Sequence, residues 1–161
     1  MTQGYLCVIF VIMTKDVRDI AERYDCTLVY LFGSQANKGR RYLEGEYIVP
    51  DPSCDLDIAV AFKTPPLEVS RTYASLYKEF SEIFEPFEVD IVFIYEVDAL
   101  FQYEVIKGVR IYEENKFMAD EFEEGVIKKA GDVLYKKMMF DKEIIEAVED
   151  GYFEFEYSPN P

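Results

Sequence analysis

Three short apolar runs, separated by segments with helical spacing, constrain the fold of this chain most strongly. The runs lie at residues 27–32, 55–62 and 87–94, and a fourth, shorter run follows Gly108 at 109–112. Each is rich in aliphatic or aromatic residues, a composition that favours β-strands. The pattern therefore predicts strands that alternate with helices along one domain.

Between the runs, apolar residues recur every three or four positions, which is typical of amphipathic helices. Helices are predicted at residues 14–24, 67–84, 98–107 and 118–149, and a break near Phe140 is compatible with the last of these. The first helix is expected to bury Val17, Ile20, Ala21 and Tyr24. One side of the second is expected to carry Leu67, Ser70, Tyr73, Ala74, Tyr77 and Phe80. The spacing in the last is set by Val126, Ile127, Ala130, Val133, Leu134 and Met138.

The remaining segments are assigned by their turn formers and their position. Residues 37–53 contain two glycines and two prolines and are predicted to form a loop or hairpin. The apolar run at 5–12 is too short to span a bilayer and has no basic flank, so we expect an extra N-terminal strand within residues 1–13 and no membrane anchor. A translation start at Met13 is the alternative. Residues 151–161 are expected to form a flexible tail.

The composition excludes several kinds of chemistry. The chain has 161 residues and a formal net charge of −15, which disfavours broad binding to nucleic-acid phosphates. It contains no histidine, which excludes Ser-His-Asp and Cys-His catalysis and His-ligated metals. Cys7, Cys26 and Cys54 form no C-x-x-C pair, so we expect reduced thiols and a cytoplasmic protein, with Cys7 and Cys26 in the core.

Two aspartates, Asp55 and Asp57, open the second apolar run. Residues two apart on a strand point to the same side, so both carboxylates share a side with Ala59 and Ala61. Like charges this close repel unless a cation lies between them, and Mg²⁺ prefers carboxylate oxygens together with water and phosphate. A solvated strand edge or turn explains the pair equally well, because about one such pair is expected by chance among so many aspartates.

A third aspartate lies within the apolar run 87–94. A charge in such a strand is costly without a partner. Asp90 therefore joins Asp55 and Asp57 at a metal site, where it can also accept a proton from an attacking hydroxyl, or else faces water at the end of its strand.

The turn at Gly33 and Ser34 is the candidate for phosphate binding. It follows the first strand directly, glycine allows close approach of the backbone, and a helix start presents free N–H groups to anions. Lys38, Arg40 and Arg41 follow and can neutralise phosphate charge, although a solvated loop explains each of them as well.

Taken in order, these elements resemble the DNA polymerase β-like nucleotidyltransferase superfamily and, within it, the minimal nucleotidyltransferases, or MNT proteins. The motifs that carry the resemblance are LFGSQA at 31–36, SCDLDIAV at 53–60, VDIV at 89–92 and YEVIKGVRIY at 103–112. The resemblance implies an α/β (α+β) fold, with a mixed β-sheet flanked by helices. It places the nucleotidyltransferase domain at residues 14–115 and a C-terminal helical extension at 116–150.

The resemblance also implies an activity and a set of site residues. The activity is transfer of a nucleoside monophosphate, with AMP from ATP as the expected case, to a hydroxyl group. By carry-over, Asp55, Asp57 and Asp90 are catalytic and bind two Mg²⁺ ions, and Gly33 and Ser34 hold the phosphates. We take Lys38 and Arg40 as the further nucleotide-binding residues.

Many MNT proteins are antitoxins that pair with a HEPN-domain ribonuclease toxin, and some of them modify a toxin tyrosine with AMP. The resemblance therefore implies an NTP and a HEPN-type toxin as partners. A non-catalytic antitoxin that neutralises its partner by contact is the alternative, and a small-molecule acceptor such as an aminoglycoside is a weaker one. A homodimer formed through the N-terminal strand is also compatible with the sequence.

The sequence departs from the family pattern in the first half of the site. Twenty residues, 35–54, separate Ser34 from Asp55, where the family has about half as many. The stretch 36–39 is also one residue longer than the family's small-x-Gly. We expect the segment 40–51 to form a hairpin over the site that selects or blocks the acceptor.

Overall fold

The computed structural model describes residues 16–152, and within this range four strands form one sheet in the order β3-β2-β1-β4. The strands are β1 (Cys26–Phe32), β2 (Leu56–Phe62), β3 (Val89–Phe93) and β4 (Val109–Glu113). Strand β1 is antiparallel to both β2 and β4, whereas β2 and β3 are parallel. The predicted mixed sheet is confirmed.

Five helices flank the sheet in the described part of the chain. They are α1 (16–23), α2 (Ala36–Leu43), α3 (Val69–Ile83), α4 (Ala99–Ile106) and α5 (Lys116–Glu149), with a short 3₁₀ turn at Ile94–Glu96 after β3. Four of the five were predicted as helices. The long helix α5 is continuous, without a break near Phe140.

The sheet is covered on both faces. On one face α1, α2 and α3 pack against alternate residues of the central strands, such as Leu31 and Ile58. On the other, α4 and α5 pack against Tyr30, Ala59 and their neighbours. Burial on both faces explains why β1 and β2 are apolar almost throughout instead of alternating with polar residues.

Helix α2 corrects the prediction of a loop or hairpin at 37–53. Gly39 was taken as a turn former, yet it lies inside the helix and faces the sheet. A Cβ atom there would come within 2.8 Å of the Leu56 side chain and 2.9 Å of the Leu31 side chain. Glycine at this position therefore lets the helix approach the strands closely, and the expected hairpin over 40–51 is wrong for its first part.

The buried faces of two helices also differ from prediction. The core face of α3 consists of Leu76 and Phe80, while Leu67 and Tyr77 are exposed. In α5, Val126 and Ala130 are buried and the apolar residues beyond them are exposed. In both helices the sequence pattern was real, but more apolar residues were available than the sheet could cover. The face predicted for α1 is confirmed at Val17, Ile20 and Ala21, which are buried.

The ion pairs of one arginine, Arg110, link helix α5 to the sheet. Arg110, on β4, pairs with Glu113 at 2.5 Å, Asp120 at 3.1 Å and Glu123 at 2.9 Å. The buried Tyr30 donates a hydrogen bond to Glu123 at 2.8 Å. We call these five residues the Arg110 cluster. It joins β1, β4 and the first half of α5.

Several predictions fall outside the described residues. These are the N-terminal strand, the alternative start at Met13, the burial of Cys7 and most of the tail. No helix among residues 16–152 combines the length and apolar character that a bilayer crossing requires.

Candidate active site

The topology of the sheet brings three strand ends together. The parallel strands β2 and β3 begin at the same end of the sheet, and the antiparallel β1 finishes there. Asp57 and Asp90 are each the second residue of their strand and stand opposite one another in the β2–β3 register. Asp55 lies just before β2 and is exposed. The predicted aspartates thus lie at one end of the sheet, with Asp57 and Asp90 side by side.

Gly33 brings the turn after β1 into contact with Asp57. Its φ angle of +72° lies in the left-handed region that favours glycine. A Cβ atom at this position would overlap the Asp57 carboxylate. Both the backbone angle and the close approach therefore require glycine, and the phosphate-binding candidate lies directly against the carboxylate candidate.

Ser34 extends the polar character of this turn. It is exposed and lies two residues before Ala36, the first residue of α2. The amino end of a helix offers N–H groups without helical partners and a partial positive charge. Gly33, Ser34 and the first turn of α2 therefore present anion-binding groups beside the Asp57 carboxylate.

The electrostatics of Asp57 distinguish it from an ordinary surface aspartate. Partial burial raises the pKa of its carboxyl group, and the nearby charges of Asp90 and Asp55 raise that pKa further. These causes disfavour the ionised carboxylate, and a bound cation would counteract all of them. On the outer side of the pair, the Tyr73 hydroxyl donates to Asp90 Oδ1 at 3.3 Å.

The donor set fits a hard cation such as Mg²⁺. As the side chains stand, no three His, Cys, Asp or Glu residues within 16–152 gather closely enough to enclose a metal. Mg²⁺ does not require such an enclosure, because it is commonly held by one or two carboxylates together with water and substrate phosphates. Asp57 and Asp90 supply such a pair, and Asp55 lies two residues away on the exposed side.

The basic candidates lie on α2 and not on a loop. Lys38 is half-buried, and its charge lowers the pKa of the Asp51 carboxyl group, which is held down mainly by hydrogen bonds from Ser53. Arg40 forms an ion pair with Glu44 at 2.6 Å. Arg41 pairs in the same way with Glu46 at 2.5 Å. Both guanidinium groups already have carboxylate partners within or just after the helix.

A comparison with models of protein families decides the family. Residues 15–117 match the model described as "Polymerase beta, Nucleotidyltransferase". The chain belongs to this nucleotidyltransferase family. The matched range contains β1 to β4 and every candidate residue of the site. No curated protein is similar enough in sequence to count as a match.

Solved structures with the same fold support the assignment. One is a chain of a crystal structure of a toxin–antitoxin complex with AMP-PNP, with a TM-score of 0.58 and 13% identity over 82% of this chain and 98% of that chain. Another belongs to a tri-AMPylated HEPN toxin from Shewanella oneidensis in complex with its MNT antitoxin, with a TM-score of 0.57 and 13% identity over 84% of this chain and 98% of that one. The family model thus confirms the nucleotidyltransferase superfamily, and these structures show that the chain shares the fold of MNT antitoxins.

Sequence reasoning assigned no role to Gln35, although this nucleotidyltransferase buries it beside the site. Its side chain is only 1% exposed. The amide oxygen accepts a hydrogen bond from the Asp51 backbone N–H at 2.8 Å, and the amide nitrogen donates to the Cys54 carbonyl. Gln35 therefore ties the start of α2 to the loop that leads into Asp55. A polar residue directly after the Gly-Ser turn was the available signal.

Proposed function

We propose that this protein is a Mg²⁺-dependent nucleotidyltransferase that transfers AMP from ATP to a hydroxyl group, and that the acceptor is a tyrosine of a HEPN-type toxin. The observation that carries the proposal is the placement of Asp57 beside Asp90, with the backbone of Gly33 against Asp57. This arrangement joins a cation site to a phosphate site at one end of the sheet. Family membership supports the reaction class.

The roles follow from the chemistry of phosphoryl and nucleotidyl transfer. The acceptor oxygen forms a bond to the α-phosphorus, the bond to the bridging oxygen breaks, and pyrophosphate leaves. Asp55, Asp57 and Asp90 would hold Mg²⁺, which when bound neutralises charge on the phosphates and the acceptor oxygen. Asp90, exposed on the edge strand β3, accepts the proton of the attacking hydroxyl.

The other groups position the nucleotide. Gly33, Ser34 and the amino end of α2 bind the β- and γ-phosphates through N–H groups and the serine hydroxyl. Lys38, on the same helix, adds positive charge near these groups. Arg40 contributes only after exchanging its Glu44 partner for a phosphate, so its effect is expected to be smaller than that of Lys38.

The choice of nucleotide and acceptor is supported by what the similar structures contain. One holds AMP-PNP, and another pairs an MNT antitoxin with a HEPN toxin that carries three AMP groups. A third is a toxin–antitoxin variant with two Asp-to-Glu substitutions placed two positions apart, which is also the spacing of Asp55 and Asp57. These likenesses are the reason for proposing AMP and a HEPN-type toxin as the acceptor, while the choice of a tyrosine rests on the resemblance to MNT proteins.

The experiment follows the α-phosphate. The protein is incubated with Mg²⁺, ATP labelled on its α-phosphate and the product of the neighbouring gene, and the labelled residue is identified by mass spectrometry. We expect label on a tyrosine of the partner. Asp57→Asn and Asp90→Asn should each reduce it by a factor on the order of 1,000, as expected for groups that stabilise transition-state charge. Asp132→Asn, the same chemical change on the exposed part of α5, should have no effect.

The same variants separate the two candidate functions. If the wild-type protein neutralises its partner without transferring label, and the Asp57→Asn variant neutralises it equally well, the protein acts as a contact antitoxin and the enzymatic proposal is wrong. Label from ATP carrying a labelled γ-phosphate would instead indicate a phosphotransferase.

A further inference from the structure

Helix α5 continues well past the part that packs on the domain. Its last fully buried residue is Ala130, and nearly all the residues from 131 to 152 are exposed. We call residues 131–149 the α5 extension. At about 1.5 Å per residue it is roughly 28 Å long. Its exposed apolar side chains are Val133, Leu134, Tyr135, Met138, Met139, Phe140, Ile144, Ile145 and Val148.

Most of these side chains lie on one face of the helix. At 3.6 residues per turn, Val133, Phe140, Ile144 and Val148 continue the line of Val126 and Ala130, which pack against the domain. Leu134, Met138 and Ile145 flank this line on one side. The extension is therefore amphipathic, and its apolar face continues the buried face of the same helix without a partner among residues 16–152.

The charges along this part of α5 are divided between its two ends. Residues 128–137 contain four lysines and one aspartate, whereas residues 141–150 contain five carboxylates and one lysine. Two of these charges, Lys137 and Asp141, lie within the apolar face, and neither takes part in an ion pair of the described chain. A partner of this surface must therefore supply a negative group beside Lys137 and a positive group beside Asp141.

We propose that the α5 extension is a homodimerisation surface, on which a second copy of this chain packs in antiparallel orientation. A twofold axis near Met138 and Met139 places Lys137 of one copy beside Asp141 of the other, twice. The same register brings Val133 opposite Ile145. It also sets the lysine-rich end of each helix against the carboxylate-rich end of the other.

Charge complementarity is the reason for choosing a second copy over an unrelated partner. In a parallel pair, Lys137 would face Lys137 and Asp141 would face Asp141 within an apolar interface, which is unfavourable. In the antiparallel pair each buried charge meets its opposite and the apolar residues form one seam. A second copy in this orientation satisfies both requirements with residues that this chain itself supplies.

The test is a charge exchange in the full chain. Molar mass is measured by sedimentation equilibrium for the wild type, Lys137→Glu, Asp141→Lys and the double variant with both substitutions. We expect the wild type to form a dimer of the 18.8 kDa chain. Each single variant should bind itself roughly tenfold or more weakly because like charges then meet, and the double variant should recover the dimer.

Matched controls make the test decisive. Glu143→Lys changes a charge on the polar side of the same helix and should leave the dimer intact, and helical content is checked by circular dichroism for every variant. A wild-type chain that remains monomeric at all concentrations overturns the proposal, and so does a dimer that tolerates both single reversals. Failure of the double variant to recover, with its helix intact, overturns the antiparallel register.

Discussion

Two groups of carboxylates lie at or against the sheet, and they differ in whether a cationic side chain neutralises them. In the Arg110 cluster, Glu113, Asp120 and Glu123 surround one guanidinium group that is only 20% exposed. At the candidate active site, Asp57 and Asp90 stand side by side, and no lysine or arginine of the described chain forms an ion pair with either. The first group contains its own cation, whereas the second has no cationic side chain paired with it among residues 16–152.

The presence or absence of an internal cation separates a carboxylate cluster that stabilises the fold from a candidate ligand site. Both groups include a tyrosine donor, since Tyr30 donates to Glu123 at 2.8 Å and Tyr73 donates to Asp90 at 3.3 Å. Hydrogen bonding to a tyrosine is therefore not diagnostic. The compensating charge is diagnostic, because it decides whether the removal of a carboxylate lowers or raises the stability of the folded protein.

Removal of the internal cation should produce the largest loss of stability. Arg110→Ala leaves three carboxylates facing one another beneath α5, and we expect a loss of about 2–3 kcal/mol in the free energy of unfolding, measured by urea denaturation. Arg23→Ala breaks an ion pair whose arginine is 59% exposed and should cost less than about 1 kcal/mol. Equal losses in the two variants would mean that the Arg110 cluster contributes no more than a surface pair.

Removal of a carboxylate at the active site should act in the opposite direction. Asp57→Asn relieves the cost of burying a charge and the repulsion from Asp90, so the metal-free protein should gain stability. The gain should be at most about 1 kcal/mol, because solvent screens the charge of this only partly buried group. Added Mg²⁺ should stabilise the wild type and not the variant. The difference between their unfolding temperatures should therefore become smaller when Mg²⁺ is present. A metal-free Asp57→Asn protein that is as destabilised as Arg110→Ala would refute the distinction between the two clusters.

The sequence predicted the placement of the candidate site residues at one end of the sheet better than it predicted the packing around them. Gly33 and Ser34 were found because they directly follow an apolar run, and Asp55, Asp57 and Asp90 because carboxylates stand at the beginning of or within such runs. The strand order brings these strand ends together. The family and fold of the chain are confirmed, whereas the roles of these individual residues remain predictions. The α2 helix was missed because Gly39 and Gly45 both read as turn formers, although Gly39 serves close packing and only Gly45 has a positive φ.

The surroundings of the site depend on contacts between distant residues, which local pattern does not encode. Arg110 was predicted only as part of a strand, because two of its three carboxylate partners, Asp120 and Glu123, reach it through the docking of α5. Gln35 is adjacent to the predicted turn, yet its role depends on a loop sixteen or more positions away. The predicted face of α3 is confirmed at Phe80, which is buried, and at Tyr73, which packs against the core. It missed Leu76 and included the exposed Tyr77, because both residues have helical spacing from Tyr73 and Phe80.

Tyr30, the tyrosine of the Arg110 cluster, allows a test of the contrast between the two carboxylate groups in which the expected effect is small. Burial is the main cause that raises the pKa of Tyr30 well above its ordinary value of 10.0, and the hydrogen bond to Glu123 raises it further. The folded protein therefore keeps this hydroxyl protonated at pH values where the unfolded chain releases the proton. The resulting stabilisation is complete below pH 10 and is lost as the pH rises above it.

Tyr30→Phe should consequently cost about 1 kcal/mol at neutral pH, where a buried hydrogen bond is lost, and should unfold with a weaker dependence on pH above 10 than the wild type. Tyr73→Phe is the matched control, because its hydroxyl is less buried and its bond to Asp90 is longer, so its effect on stability should be smaller. Urea denaturation of both variants between pH 7 and about pH 11 measures the difference. If Tyr73→Phe is instead the more destabilising substitution, the Tyr73 hydroxyl stabilises the Asp57–Asp90 pair more than the Tyr30 hydroxyl stabilises the Arg110 cluster. The contrast between the two groups of carboxylates would then lose its physical basis.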